Sequence, residues 1–438
     1  MQRGADNKEH DERSFAAQLI GCHAMLYSTF GSEPKSTRSK SLVPISLGIS
    51  ILLIAVAVLI TQHFRGSPVA AISSPTKAAA ASWTVHCGSD KFNKGGQTYS
   101  GSVAPGGVLF LPAGAQFRIK AHPAGAGGSF AEENAADAWD HSGGELEPPV
   151  ESAEGCTQDG RAPQQPGLYT LVWRDEGDSV PTRSISVMVL AKAEMHLQGD
   201  RTQVKVNGKS IGSYGDPDHA PVKRVRENAQ RYQVPRYFAT LTPEFIKLRF
   251  GHDFELGQLV AYKDYRDKEG KKVYTTERHT DVFPPRVDLI EKLVKLRDRL
   301  RSKGVKVSKF WITSGFRTPE YNREIHGALF SRHCYGDAVD LVIDEDNDKR
   351  MDDLNGDGKV DRKDGIVIGN AARELELEGT VVPGGIGVYE WDGEDSVKSH
   401  VHIDCRGYIS RWGQNGMGRH KKTFTWWPKS EFSDEDGE

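Results

Sequence analysis

The sequence predicts an α+β protein of more than one domain: an all-β region, then a small α+β domain with an antiparallel sheet. Three observations carry this. Residues 83–192 hold short runs of alternating apolar residues separated by Gly and Pro, the pattern of half-buried strands. From Pro284 onward a helical apolar stripe is followed by strand-like runs and shorter helical pieces, a mixed order that points to α+β. At 438 residues the chain exceeds what one hydrophobic core usually organises. An uncharged apolar stretch ahead of both regions predicts a transmembrane helix.

Residues 1–41 are polar and mixed in charge, and read as a disordered tail. Leu42 to Ile60 carries no charge over 19 residues, within the roughly 17–25 that one bilayer crossing needs. The expected anchor is 42–61. Lys35, Arg38 and Lys40 precede it, which places the N-terminus in the cytoplasm. A cleaved signal peptide is the alternative, because SPVAA after the apolar run resembles a small-residue cleavage site. Both readings export the bulk of the protein. Residues 62–82 form a small-residue linker.

Within 83–192, WTVHC, GVLFLP, AQFRIKA, GLYTLVWRD and SISVMVLA are the strand candidates. Pro166-Gly167-Leu168-Tyr169 resembles the tyrosine corner of Ig-like sandwiches, so this region is expected to be Ig-like. Residues 193–283 have mixed periods and make a connecting region that packs on the final domain or lines its cleft. Asn207-Gly208 between alternating runs is a hairpin signal there. The final domain is 284–427, followed by an acidic tail, 428–438. Val287, Ile290, Leu293, Val294, Leu296 and Leu300 form one helical stripe, with prolines before it and Gly304 after it. KVSKFWITSG, DAVDLVID, GGIGVYE and SHVHIDCRG read as strands, while TPEYNREIHG and 364–378 read as helices.

The formal charge of -3 argues against a nucleic-acid partner, whose binding surfaces are visibly basic. Five cysteines are too few for a disulfide scaffold. In an oxidising compartment Cys87 would pair with Cys156 and Cys334 with Cys405; four buried free thiols are the alternative.

The chemistry concentrates in two stretches. ITSGFRTPEYNREIHGALFSRHCYGDAVDLVID contains His333 and Asp340, the neutral imidazole and carboxylate that zinc takes. Their spacing does not suit one helix face; a loop turning at Gly336 into a strand can join them. SHVHID supplies a third ligand in His402. Strand alternation puts His400, His402 and Asp404 on one face, and Val401, Ile403 and Cys405 on the other. Two imidazoles and one carboxylate leave zinc an open position, and its bound water drops to a pKa of about 7.

SGFRTPEYN, SRHCYGDAVD and SHVHID together resemble the zinc D-alanyl-D-alanine carboxypeptidase family. Its superfamily also holds lysostaphin-type and hedgehog-like members. The resemblance covers about 284–420. It implies that His333, Asp340 and His402 bind zinc and that Arg317 stabilises the oxyanion or binds substrate. His400 would then be the base or its neighbour, with Ser331 and Asn322 binding substrate and Asp337 supporting the site. Members often use an acidic base shortly before the last ligand, and Glu394 and Asp395 are close to that place. A surface salt bridge is the ordinary alternative for Arg317.

An insertion, 344–365, lies between the ligands. Counted from Asp353, it sets Asp353, Asn355, Asp357, the Lys359 carbonyl and Asp364 at calcium-loop positions, with Gly358 at the sharp turn. A solvated acidic loop is the alternative; structural calcium is expected.

The resemblance implies a zinc metallopeptidase acting on peptidoglycan stem peptides or cross-links. It would sit in a bacterial inner membrane by one N-terminal helix, its catalytic domain periplasmic or extracellular. The competing readings are a non-catalytic cell-wall binding module and a peptidase for secreted peptides.

Overall fold

RSISVMVLAK shows how the β-rich part is built. Ile185, Val187 and Val189 point to one face and Met188 and Leu190 to the other, and all five are buried. A strand covered on both faces must be central. Arg183–Lys192 accordingly pairs antiparallel with Gly167–Asp175 and parallel with Val108–Pro112. Its last residues pair with Tyr237–Thr240, which pairs with Val282–Phe283, so this sheet runs on into the connecting region. A second sheet joins Ser82–Cys87, Gly101–Val103, Gln116–His122, Gly155–Arg161, Glu145–Leu146 and Val150–Ser152. At the expected corner, the Tyr169 hydroxyl donates to the Gln165 carbonyl at 3.0 Å.

This computed structural model describes residues 82–87, 101–103, 107–122, 128–132, 143–152, 155–175, 183–250, 254–263, 265–266, 272–273, 277–390, 399–416 and 422–428. All of them fall in one compact unit, Lys77–Glu438. The expected transmembrane helix at 42–61 lies outside the described residues. Among the described residues no helix is long and apolar enough to cross a membrane, so the membrane-anchored architecture is not supported.

The connecting region folds. Glu194–Gln198, Arg201–Val206 and Lys209–Gly215 make a three-stranded antiparallel sheet. Asn207 and Gly208 both have positive φ, 51° and 76°, as a two-residue hairpin turn of the primed type requires. Thr242 caps a short helix, Pro243–Lys247, by accepting from the Phe245 N–H. Further on, Val260 bridges to Phe316, and a Cβ at Gly315 would overlap the Leu259 carbonyl. The connecting region thus buttresses the loop that carries Arg317.

The C-terminal part is built on helix α1, Val287–Ser302. It buries Leu289, Leu293, Leu296 and Leu300 along one stripe. It stops at Gly304, φ 83°, where the N–H groups of Gly304 and Val305 close back on Arg301 and Leu300. Strands β1 (Phe310–Ser314), β2 (Ala338–Ile343), β3 (Gly385–Glu390), β4 (His400–Asp404), β5 (Ser410–Asn415) and β6 (Lys422–Thr423) form one sheet. Their order is β1-β2-β4-β3-β5-β6. Helix α2, Pro319–Glu324, follows β1, and helix α3, Arg362–Leu377, precedes β3.

The sheet is mixed, not antiparallel as expected. β3 and β4 are antiparallel, but β5 pairs in parallel with β3. The reason is connectivity. The chain reverses after β4, and β5 then joins the far edge of β3, so it runs in the direction of β3. Buried residues of both β-rich sheets, the connecting region, α1, α3 and this sheet belong to one hydrophobic cluster.

The expected Cys334–Cys405 disulfide is absent: both are buried free thiols, while the side chain of Cys87, the expected partner of Cys156, lies outside the described residues. Burial pushes the Cys334 thiol up to about 12, so it stays protonated and inert.

Candidate metal centre

Cross-strand register builds the site. Ser314 of β1 pairs with Asp340 of β2, Asp340 with His402 of β4, His402 with Gly387 of β3, and Gly387 with Trp412 of β5. Residues in such a row share one face of a sheet. His333 reaches this face from a 3-10 turn, Arg332–Tyr335, which ends at Gly336 with φ 74°. A Cβ at Gly336 would overlap the Pro284 carbonyl, so both conformation and space demand glycine. The Tyr214 hydroxyl, from the three-stranded sheet, donates to the Cys334 carbonyl at 2.7 Å and holds the turn from behind.

The result is a tight cluster. His333 Nε2 lies 3.2 Å and His402 Nδ1 2.9 Å from Asp340 Oδ1. One ligand atom from each of the three residues lies within 4.8 Å of the others, and all three residues are buried. Tetrahedral ligands at zinc bond lengths stand about 3.3 Å apart, so the spacing already suits an ion.

Hydrogen bonds behind the cluster set the tautomers. His333 Nδ1 is 2.8 Å from the Gly315 carbonyl, which can only accept. The proton is therefore on Nδ1, and the Nε2 lone pair faces Asp340. His402 Nε2 is 3.0 Å from Asp404 Oδ2. Asp404 also accepts from the Gly385 N–H at 2.7 Å and from the Arg406 guanidinium at 2.6 Å. Burial alone would raise the Asp404 carboxyl, but the Arg406 charge and the His402 bond hold it well below the usual carboxylate range. It remains an acceptor, so neutral His402 keeps its proton on Nε2 and turns the Nδ1 lone pair inward. Three lone pairs then meet at one buried point, an arrangement that repels itself unless a cation is present. The two imidazoles and one carboxylate fit zinc.

The electrostatics carry the same message. Burial, and then the Arg317 charge, push His333 down to about 4, so it is a neutral ligand at pH 7. Burial also works against a charge on His402, yet its bonds to Asp340 and Asp404 outweigh this and raise it. Without an ion, a proton on His402 Nδ1 is the remaining way to soften the contact. Proton and metal compete for one lone pair.

Arg317 is placed by its backbone. Its N–H donates to the His333 carbonyl at 3.1 Å, and the next N–H, of Thr318, donates to His279 Nε2 at 2.9 Å. Its guanidinium bonds Asp340 Oδ2 at 2.9 Å and Ser314 Oγ at 3.0 Å. Arg317 therefore holds the outer carboxylate oxygen while Oδ1 faces the histidines. His400 Nε2 lies 3.8 Å from Asp340 Oδ1.

The other expected residues are less central. Ser331 is the residue before the His333 turn. Asn322 is buried, and its amide donates to the Ala328 carbonyl at 2.9 Å, closing its own loop. Asp337 is fully buried between Arg332 and Arg286. Glu394 and Asp395 lie outside the described residues.

Calcium at the insertion is not supported. Asp353 folds the loop as anticipated, accepting from the N–H groups of Gly356, Asp357 and Gly358. But Lys363 takes Asp357 at 2.6 Å. Asp364 is turned to the N–H groups of Leu354, Asn355 and Asp361 as a helix cap. Among the described residues, the acidic oxygens brought within 4.8 Å of one another are those of Asp344, Asp346 and Asp348. Asp353, Asp357 and Asp364 are not among the acidic groups clustered in this way, and Asn355 and Lys359 lie in the same loop.

The geometry missed by sequence reasoning comes from His279, Tyr389 and Trp412. His279 sits in the connecting region, where no motif marked it. Tyr389 stacks on His400 with ring centroids 4.5 Å apart, and Trp412 lies 5.2 Å from His402. Only knowledge of strand order would have found them.

Comparison with known proteins adds a family match. Residues 267–367 match the family model described as Peptidase M15. This supports the superfamily of D-Ala-D-Ala carboxypeptidase-like zinc peptidases, and no specific member. The matched segment includes Arg317, His333 and Asp340 and ends before His402, which β4 delivers. No curated protein matches. A solved structure of the Yersinia pseudotuberculosis adhesin InvE matches at 14% identity and a TM-score of 0.15. That match covers 22% of this chain and 31% of the other.

Proposed function

We propose that this protein is a zinc metallopeptidase that hydrolyses peptide bonds in peptidoglycan stem peptides or cross-links. One observation carries the reading: the buried lone pairs of His333, Asp340 and His402 converge, with both tautomers set from behind by Gly315 and Asp404. The peptidase match over 267–367 supports the reaction class. The substrate class rests on resemblance to carboxypeptidases of the cell wall, and implies action outside the cytoplasm.

When bound, zinc supplies an electrophile for the scissile carbonyl and makes water acidic enough to ionise near pH 7. The chain supplies the rest. Arg317 fixes the Asp340 carboxylate and brings a permanent positive charge to the side where an oxyanion develops. His400 places an imidazole nitrogen next to Asp340, in position to accept a proton from attacking water and return it to the leaving amine.

The test is digestion of purified peptidoglycan with product analysis, comparing wild type, His402→Ala and Arg317→Ala. Wild type releases peptide products; His402→Ala loses zinc and activity together. Arg317→Ala, measured with zinc saturating, loses about 10²–10³ in kcat, the size of one oxyanion contact. A wild-type protein that holds zinc and cleaves neither peptidoglycan nor its stem peptides would refute the reading.

A further inference from the structure

Both histidines of β4 have one side facing the metal point. What holds their other sides is an aromatic assembly outside the ligand set. Gly387 lies between His402 and Trp412 in the cross-strand row. A Cβ there would overlap the Trp412 indole, so the indole lies across the glycine. In that position it stands 5.2 Å from the His402 ring at an interplanar angle of 44°. Its Nε1–H donates to the Tyr389 hydroxyl at 2.7 Å. The Tyr389 ring then stacks on His400 at 4.5 Å and 21°, and the two residues are also cross-strand partners.

Trp412 and Tyr389 are partly exposed on the ligand face of the sheet and do not belong to the buried core. Ordinary core packing therefore does not account for their placement. The contacts form one chain: Gly387 admits Trp412, Trp412 flanks His402 and bonds Tyr389, and Tyr389 covers His400.

We propose that Gly387, Trp412 and Tyr389 are positioning residues that fix the ring orientations of His402 and His400. The glycine makes space for the indole, and the indole-to-phenol hydrogen bond transmits one orientation to both rings. The part concerning His400 rests on the peptidase reading; the part concerning His402 needs only metal binding. Outer groups that orient metal-ligating histidines typically change affinity or activity by about 10–100-fold.

The test uses the full chain with Trp412→Phe, Tyr389→Phe, Tyr389→Ala and Gly387→Ala. Four quantities are measured: melting temperature, zinc affinity against a chelator, the visible spectrum of the cobalt-substituted protein, and kcat and KM on a stem peptide. Trp412→Phe keeps an aromatic ring but loses the N–H; zinc affinity falls about tenfold and the cobalt bands shift. Gly387→Ala does the same by displacing the indole. Tyr389→Phe keeps the stack but removes the same hydrogen bond, so zinc affinity falls as in Trp412→Phe and kcat drops severalfold at unchanged KM; Tyr389→Ala loses more kcat. Unchanged zinc affinity and cobalt spectra in folded Trp412→Phe and Gly387→Ala would overturn the His402 half. Equal kcat in wild type and both Tyr389 variants would overturn the His400 half. If the protein proves not to be a peptidase, the zinc and cobalt measurements still decide the His402 half.

Discussion

Asp404→Asn separates metal-site orientation from simple packing. Asp404 is fully buried, and its two oxygens have different duties. Oδ1 accepts from the backbone N–H groups of Gly385 and Arg406, at 2.7 and 3.0 Å. Oδ2 accepts from His402 and from the Arg406 guanidinium. In the asparagine variant the one remaining oxygen stays on the Oδ1 side, where it keeps the Gly385 and Arg406 N–H groups and the Arg406 Nε–H. The amide NH2 then faces His402 Nε2. Two donors cannot share that contact, so His402 moves its proton to Nδ1 and points an N–H at the metal. Zinc affinity should fall by at least the 10–100-fold expected for an outer carboxylate, or about 1.4–2.7 kcal/mol. The folding cost is separate. Losing the carboxylate opposite a mostly buried Arg406 costs about 1–3 kcal/mol, below the ~3–5 of a fully buried broken pair, because the guanidinium retains some water. Chelator competition reads the first quantity, and urea unfolding of metal-free protein reads the second. Wild-type zinc affinity in a folded Asp404→Asn protein would refute the tautomer argument, whatever its stability.

Two further perturbations follow from the same geometry. Burial, opposed only in part by its bond to the Ala261 carbonyl, brings His279 down to about 4. The unfolded chain therefore takes up a proton near pH 6.5 that the folded protein refuses until about 4, and stability falls as pH drops through that window. His279 contributes about 3 kcal/mol to this loss. His333 acts in the same direction, whereas Asp340 and Asp404 are held low and act in more acid solution. His279→Asn should flatten the pH 6.5–4 limb of metal-free unfolding curves; an unchanged limb would show that His279 is not held neutral. Gly336→Ala forces a non-glycine residue to φ 74° against the Pro284 carbonyl. It should cost about 2–5 kcal/mol and weaken zinc binding through His333. Gly199→Ala is the control: it also has positive φ, but a Cβ there meets nothing within 4 Å, so only about 1–2 kcal/mol is expected. Equal melting temperatures for the two variants would mean the Gly336 turn tolerates a side chain.

What could be read in advance follows from the range of the interactions involved. The Asn-Gly hairpin and the α1 stripe are local, and both occur where their residues lie. The convergence of His333, Asp340 and His402 was legible because each sits in a short stretch whose turn or alternation fixes its direction. Strand order is not local. SRWGQN carries one large apolar residue and no alternation, so β5 had no signal and the parallel pairing with β3 could not be anticipated. Disulfides between Cys334 and Cys405 failed for a related reason: both cysteines face the interior, but spacing in sequence says nothing of the distance between them. The calcium template counts positions only and so does not include Lys363, whose ammonium pairs with Asp357.

Gly387 illustrates the boundary most sharply. Within GIGVYE, period-two alternation puts Gly385, Gly387 and Tyr389 on one face. It does not say whether that face meets helix or metal. Register against β4 decides the matter: Gly387 falls opposite His402 and Tyr389 opposite His400. A slip of one residue would bring Ile386 or Val388 to the metal face and bury Tyr389. The same register that assembles the ligands therefore selects which neighbours surround them, so ligand geometry and its aromatic support are one property of the sheet.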